Sequence, residues 1–273
     1  DRVVARIDAP TVKATTIKDG AQTAGTNAIT KVDYVGYALA NLQNVTKIEQ
    51  DWNDDYSKLE TPSANFYLPV SAYGTTTEAK GTFAKAEKNY VFENTTTNTA
   101  NATTMYFKFV ATMGDGNKDF TDNTFYRYDG KLYTSLQAII DDKTVSNPFG
   151  STSVETLLGK GTDDQPALNK TSDGKCGATD DQLSKFREAY HIEVYKGGEM
   201  YYKYYIQDSH YSKTDPANYT ILRNSIYKIT VNALTDLGTD VPNGNTDDKK
   251  PNYYLQVGVD VNPWVLNNIG IEL

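Results

Sequence analysis

The sequence has little of two residue types on which many site chemistries depend. Its 273 residues include one cysteine and two histidines. The single Cys176 excludes an intramolecular disulfide framework and a cysteine-rich zinc module. Only His191 and His210 could serve as imidazole bases or metal ligands, and no HxH or HxxxH spacing brings them together. The sequence therefore predicts neither a metal site nor a cofactor.

Long apolar runs and an excess of basic residues are also missing. No run of 18 apolar residues occurs, so the sequence predicts no transmembrane helix. The formal net charge is −8 and the pI about 4.9, which is the wrong sign for a nucleic-acid binder. The first residues contain no apolar signal segment, so we expect that any export signal has already been removed.

Tyrosine and threonine are abundant instead, with 21 tyrosines in the chain. Both residue types favour the half-buried surfaces of pleated sheets. Short alternating segments separated by turn signals predict a mainly β protein, a β-sandwich with a small helical insertion. Strands are expected over residues 2–9, 32–42, 66–70, 90–92, 105–111, 227–233 and 253–261. The core is expected to contain Tyr37, Leu39, Phe107, Phe109, Val194, Ile229 and Val231.

Two glycine-containing turns predict hairpins. Asp129-Gly130 lies between alternating aromatic residues, which is a strong hairpin signal. Gly197-Gly198 is expected to join the two strands of a second hairpin over residues 192–206. On its second strand, alternation places four apolar side chains on one face, namely Met200, Tyr202, Tyr204 and Ile206.

Helix signals are few and lie in one part of the chain. Thr134 or Ser135 and then Ser153 can cap two short helices, and Thr179 with Gln182 has capping-box spacing. Residues 141–178 otherwise resemble a long insertion. Residues 93–104 form a polar, low-complexity connection that we expect to be exposed. Both segments are expected to be sensitive to proteases, because they lack periodic apolar residues.

Candidate functional motifs are incomplete. Residues 115–119 and 51–55 begin like calcium loops but lack the required glycine and glutamate, so Asx turns are favoured. Cys176 follows a lysine, yet no base or orienting group is near it in sequence. Five sequons, at Asn44, Asn94, Asn101, Asn169 and Asn218, would suggest a eukaryotic glycoprotein, but several such matches are expected by chance in a chain so rich in Asn and Thr. The sequence predicts no catalytic residues and no enzyme.

The C-terminal third has an ordered set of features. A short helix ends at Phe186-Arg187, and residues 192–202 follow. Leu222-Arg223-Asn224-Ser225-Ile226-Tyr227 then leads into a strand, and Asn262-Pro263-Trp264 closes the next. Over residues 183–273 this order resembles the Bacteroidales fimbrillins, the shaft subunits of type V pili, and most closely those of short (minor) fimbriae. Residues 1–140 match the family only loosely.

The resemblance implies a non-enzymatic polymer subunit with transthyretin-like β-sandwich domains. Such subunits are exported as lipoprotein precursors, and an Arg-specific protease at the cell surface removes an N-terminal strand. A C-terminal strand of another subunit then fills the groove by β-strand addition. Further partners implied are accessory anchor and tip subunits, and host or bacterial surface proteins to which the fimbrium adheres.

The resemblance also implies a domain plan. Residues 1–252 would form one sandwich domain with an insertion at about 134–190, and residues 253–273 a C-terminal strand arm. An additional N-terminal domain would precede residue 1. The donor side chains of the arm would be Leu255, Val257, Val259, Val261, Ile269, Ile271 and Leu273.

Two other interpretations remain open. Residues 253–273 could complete their own sandwich, which the residues alone favour over donation. The chain could also be a monomeric surface lipoprotein that binds glycans or proteins through the tyrosine-rich face at residues 201–205, because tyrosine offers rigid, amphipathic area. A simpler interpretation is that one face of this strand packs in the core and the other faces solvent.

Overall fold

In the computed structural model, the described residues are 3–17, 29–43, 46, 88–96, 99–114, 116, 118–240 and 255–263. Strands dominate this part of the chain, which confirms the mainly β prediction. The predicted strand at residues 66–70 lies outside it. In chain order the elements are β1 Val4–Asp8, β2 Thr11–Val12, β3 Ile29–Ala40, β4 Lys88–Phe92, β5 Thr104–Met113, β6 Phe125–Tyr128, β7 Lys131–Tyr133, α1 Leu136–Asp141, α2 Val154–Leu158, α3 Asp180–Tyr190, β8 Glu193–Tyr195, β9 Glu199–Tyr205, β10 Ser225–Leu234 and β11 Leu255–Pro263.

Two sheets enclose the main core. The first has the order β11-β10-β1-β4, with β2 also paired to β10, and the second has the order β3-β5-β9. Alternate residues of both sheets point inward and form one apolar cluster. All seven predicted core residues are buried, but Val194 belongs to a second, smaller cluster.

The N-terminal segment lies parallel to β10 along most of its length. Arg6 pairs with Ile226, Thr11 with Thr230, and Ile17 forms an isolated bridge to Leu234. Pro10 interrupts the ladder because it has no amide hydrogen to donate. The same segment reaches the other sheet, where Val32 donates its amide hydrogen to the Thr15 carbonyl at 3.3 Å.

A small third sheet, of order β7-β6-β8, separates the main core from a second one. Its side chains alternate between the two: Phe125, Leu132 and Tyr195 join the main core. Tyr126, Tyr133 and Val194 join the second core, which the three helices cover. Period-two alternation thus lets one sheet contribute to two cores.

The helices begin where the sequence predicts. Ser135, Ser153 and Thr179 accept hydrogen bonds from the first turns of α1, α2 and α3, and the capping box of Thr179 and Gln182 is complete. Residues 141–178, in contrast, are more than an exposed insertion. They contribute side chains to the second core, among them Phe149, Leu157, Leu168 and Cys176.

One predicted hairpin forms and the other does not. Asp129 and Gly130 both have positive φ and join β6 to β7, as in a type I′ turn. The prediction of a hairpin at Gly197-Gly198 is wrong, because β8 pairs with β6 and β9 pairs with β5. Gly198 instead passes so close to β5 that a Cβ would lie 2.2 Å from the Ala111 carbonyl oxygen. The chain therefore changes sheets at this point.

Residues 93–104 are not an exposed connection, so that prediction is also wrong. Of the described residues in this range, Asn94, Thr95, Thr96, Thr103 and Thr104 are buried. Their polar groups find hydrogen-bond partners within the protein: the side-chain amide of Asn94 donates to the Asn101 carbonyl and to Thr103 Oγ1. A low-complexity polar sequence can thus be buried where its side chains bond to one another.

Candidate strand-exchange site

The candidate functional site is the edge of the first sheet formed by β10 and β11. Nine residues of β11, Leu255–Pro263, pair antiparallel with β10, from Leu255 opposite Leu234 to Pro263 opposite Ser225. A bulge interrupts the register between Val231 and Ala233. Within the described part of the chain β11 ends the sheet, so only one of its two edges pairs with a strand.

Alternation explains why β11 adopts this position. Val259 and Val261 are partly buried and pack against the main core, opposite the buried Ile229 and Tyr227 of β10. On the outer face Asp260 lies opposite Lys228, and both are exposed. Opposite charges paired across strands add a small stabilisation of about 0.2–1 kcal/mol.

The predicted donor residues are only partly within the described structure. Leu255 and Val257 pair in register with Leu234 and Val231, in the same strand as Val259 and Val261. Ile269, Ile271 and Leu273 lie outside the described residues. The structure therefore shows residues 255–261 in their own sheet, and donation to a second subunit stays a prediction.

A buried carboxylate, that of Asp208, is hydrogen-bonded to a tyrosine of β10. Tyr227 donates its hydroxyl hydrogen to Asp208 Oδ2 at 2.6 Å and accepts one from the Leu222 amide at 2.7 Å. Asp208 Oδ1 also lies 2.6 Å from Nδ1 of His210. Burial, reinforced by the negative charge of Asp208, raises the pKa of Tyr227 well above its ordinary value. The phenol is therefore a neutral donor.

Residues 236–240, which follow β10, are bound to the rest of the fold by two ion pairs. Arg127 contacts Asp236 at 3.1 Å, and Arg187 contacts Asp240 at 2.7 Å. Asp240 Oδ2 also accepts the Val194 amide hydrogen at 3.0 Å. Sequence patterns gave no signal for these pairs, since each partner comes from a distant element.

Backbone contacts hold the same segment. Tyr201 and Thr239 exchange two backbone hydrogen bonds, each 2.8 Å long. The hydroxyl groups of Tyr195 and Tyr202 donate to the carbonyls of Gly238 and Asp236, at 3.0 and 2.8 Å. These two phenols thus serve as structural donors inside the protein.

The tyrosine-rich face at residues 201–205 is largely internal. Tyr201 is 1% exposed and Tyr202 is buried in the main core. Lys203 and Tyr205 are half-buried, with Lys203 Nζ 4.7 Å from the Tyr205 ring centroid. The exposed area that a glycan could contact on this face is therefore smaller than the sequence suggests.

The remaining candidate residues have structural roles. Asp119 accepts hydrogen bonds from Tyr126 and from the Leu136 amide, and burial raises its pKa. Cys176 is a buried thiol whose pKa burial also raises. Among the described residues, no group of three or more histidine, cysteine, aspartate or glutamate side chains could hold a metal ion. None of the described helices is long and apolar enough to cross a membrane. Two of the sequon asparagines, Asn94 and Asn218, are buried.

Comparisons with known proteins agree with the resemblance in the C-terminal third. Residues 193–269 match the family model described as major fimbrial subunit protein type IV, fimbrillin, C-terminal. The match confirms the resemblance over these residues and agrees with the prediction of a structural subunit rather than an enzyme. No curated protein matches the chain.

Two solved structures are similar at low identity. A fimbrilin from Porphyromonas gingivalis W83 is 16% identical, with a TM-score of 0.41. A proposed cell adhesion protein from Parabacteroides distasonis ATCC 8503 is 13% identical, also with a TM-score of 0.41. Each comparison covers 97% of this chain and 59% of the other. The chain thus spans about three fifths of the length of these two proteins.

Proposed function

We propose that the chain is a structural subunit of a bacterial surface pilus that polymerises by β-strand exchange. The observation that carries the proposal is the fimbrillin family match over residues 193–269, which spans β8 to β11 and reaches Ile269. The edge position of β11 supports it, because a strand paired on one side can leave by breaking a single ladder.

The donor arm in this proposal comprises β11 and the residues that follow it. Its apolar side chains would be Leu255, Val257, Val259, Val261, Ile269, Ile271 and Leu273. A neighbouring subunit would accept them by main-chain hydrogen bonding and by pockets for alternate side chains. Ile269, Ile271 and Leu273 alternate with polar or small residues, as a strand with one buried face requires.

Assembly and location follow from the same proposal. The subunit would be exported as a lipoprotein precursor, cleaved by an Arg-specific protease and assembled on the cell surface with further copies of itself. Anchor and tip subunits would complete the fimbrium, which would adhere to host and bacterial surface proteins. The resemblance to fimbrillins supports these steps.

The second candidate function is a monomeric surface lipoprotein that binds glycans. Tyr205 favours it, because its ring contacts Lys203 and stands edge-on to Tyr219 at a centroid distance of 6.0 Å. Half-buried aromatic rings of this kind can stack on sugars. The burial of Tyr201 and Tyr202 makes strand exchange the better-supported function.

A disulfide lock tests whether β11 is donated. Lys228 and Asp260 are exposed and paired in register, and opposed antiparallel residues have Cα separations of about 4.5–5.5 Å. A disulfide spans such a distance. We expect the oxidised K228C/D260C double variant to remain monomeric after protease treatment, and to polymerise once the disulfide is reduced.

The matched control locks two strands that need not separate. Asp33 and Val110 pair in register between β3 and β5, so an oxidised D33C/V110C double variant should polymerise like the unmodified chain. Size-exclusion chromatography and electron microscopy would follow both variants. Polymerisation of the oxidised K228C/D260C variant would remove β11 from the donor arm. Failure of the protease-treated, unmodified chain to polymerise would overturn the proposed function itself.

A further inference from the structure

Residues 236–240 lie between β10 and the proposed donor arm, and most of them are buried. Leu237, Gly238 and Asp240 are buried, although the segment belongs to no regular strand. Gly238 approaches β9 so closely that a Cβ would lie 2.4 Å from the Tyr201 carbonyl oxygen. Any larger residue there would push the segment away from β9.

The segment is bound to three separate elements of the fold. Arg127 comes from β6, Arg187 from the last turn of α3, and Tyr201 from β9. The side chains of both arginines and both aspartates are largely buried, so these pairs are shielded from solvent. Removing Asp240 would leave the largely buried Arg187 charge without this partner, whereas Arg127 also contacts Glu193 at 3.7 Å.

β11 is held differently. It has one neighbouring strand in the described structure, and its described apolar contacts with the core come from the partly buried Val259 and Val261. Edge strands of this kind open at lower free-energy cost than segments that are bonded on several sides. The chain is therefore bonded on several sides up to residue 240 and on one side in β11.

We infer that residues 236–240 are a fixed anchor for the C-terminal arm, and that Arg127 and Arg187 are the positioning residues that hold it. The inference rests on the proposed function. Strand exchange then moves only the chain beyond Asp240, while β10 and the anchor stay bound to the subunit. A force applied to a donated arm would reach the ion pairs of the anchor before it reaches the hydrogen bonds of β10.

Native-state hydrogen exchange of the isolated chain tests the anchor without any polymer. The amides of Tyr201 and Thr239 report on the anchor, because each donates a hydrogen bond to the carbonyl of the other residue. The β11 amides that bond to β10 report on the arm. We expect the β11 amides to exchange about tenfold or more faster than those of Tyr201 and Thr239. Equal rates in the two groups would overturn the inference, because the arm and anchor would then open as one unit.

Variants test the positioning role of Arg187. D240N should accelerate exchange at Thr239 about tenfold or more and leave the Phe109 amide of β5 less affected. K185Q is the matched control, since Lys185 lies on the same helix in an exposed pair with Asp163, and should leave Thr239 unchanged. If D240N does not fold, R187K provides a milder change, because lysine keeps the charge but cannot reproduce the guanidinium geometry. An unchanged Thr239 rate in the folded variant would overturn the positioning role.

In the polymer, the expected pattern separates the two proposals. Assembly should change protection in β11 and leave the Thr239 amide as slow as in the monomer. A polymer in which Thr239 loses its protection would contradict the anchor while leaving the pilus function intact. Absence of polymer would contradict the function, and the monomer experiment would still decide the anchor.

Discussion

Tyr227 connects β10 to the loop that precedes it through a single phenol. Its hydroxyl donates to the buried Asp208 and accepts from the Leu222 amide, so one oxygen satisfies two groups. Replacing it would leave both a buried carboxylate oxygen and a buried amide without that partner. Leaving such groups unsatisfied costs about 1–3 kcal/mol each, which is more than the hydrogen bonds contribute when formed.

The substitution Y227F is therefore expected to lower the free energy of unfolding by about 2–6 kcal/mol. Y90F is the matched control, because Tyr90 is 58% exposed and the same atom is removed from the surface. Exposed substitutions of this kind usually change stability by less than about 0.5 kcal/mol. Denaturant unfolding of both variants measures the difference, and equal losses would show that the Asp208 contact is unimportant.

Residue-scale prediction from sequence succeeded for apolar side chains and failed for buried polar ones. Ile229 and Val231 alternate with polar residues, and Lys108 separates Phe107 from Phe109, so alternation predicts a core position for these apolar side chains. Asn94 is buried with equal completeness, but its amide also bonds the carbonyl of Asn41, 53 positions away. A polar residue with such a distant partner has the same local sequence as an exposed one.

At the scale of elements, Gly197 and Gly198 show how one turn signal can have two outcomes. Both glycines have positive φ, as a tight turn requires. The space around them differs, because a Cβ at Gly198 would collide with the Ala111 carbonyl and one at Gly197 would meet nothing within 4 Å. The close approach to β5 directs the chain into another sheet.

The pair G198A and G197A separates these two effects. G197A should cost about 1–2 kcal/mol, the penalty of a left-handed conformation for an L-residue. G198A should cost about 2–5 kcal/mol, because forced displacement of β5 adds an overpacking term. Midpoints of denaturant unfolding would give both values. Similar losses for the two variants would mean that β5 yields easily at Ala111.

Element-scale prediction was most successful where the signal is local. The caps of α1, α2 and α3 use side chains within three residues of the helix start, and all three were identified. Strand pairing depends on residues far apart in the chain, so the sequence placed β8 and β9 as strands but paired them with each other. It also missed Asp236 and Asp240, whose arginine partners lie on other elements.

At the scale of the whole molecule, the sandwich, its core and its C-terminal strand could be predicted, but the second core could not. The third sheet contributes alternate side chains to two clusters, and no period in the sequence distinguishes a strand buried on both faces in this way. The proposed donor function depends on residues after β11, and it is tested by removing them from the whole chain.

Deleting residues 268–273 should leave a folded monomer that cannot extend a fibre. A donor strand contributes its apolar side chains to the core of the neighbouring subunit, so its loss should not expose the core of its own. Ile269, Ile271 and Leu273 would contribute about 1.5–3 kcal/mol each to the interface if fully buried. Backbone hydrogen bonds would add about 0.5–1.5 kcal/mol each. The point variant I271S should weaken assembly in the same direction, whereas E272Q, on the alternate side of the strand, should assemble normally.

The melting temperature of the truncated monomer separates donation from self-completion. If residues 268–273 are donated, truncation leaves this temperature nearly unchanged and abolishes fibres in electron micrographs. If they instead complete the subunit's own sheet, truncation exposes apolar core surface, and the monomer melts at lower temperature or aggregates. A marked loss of monomer stability would therefore contradict the donor arm, because the same side chains cannot fill the core of their own subunit and that of its neighbour.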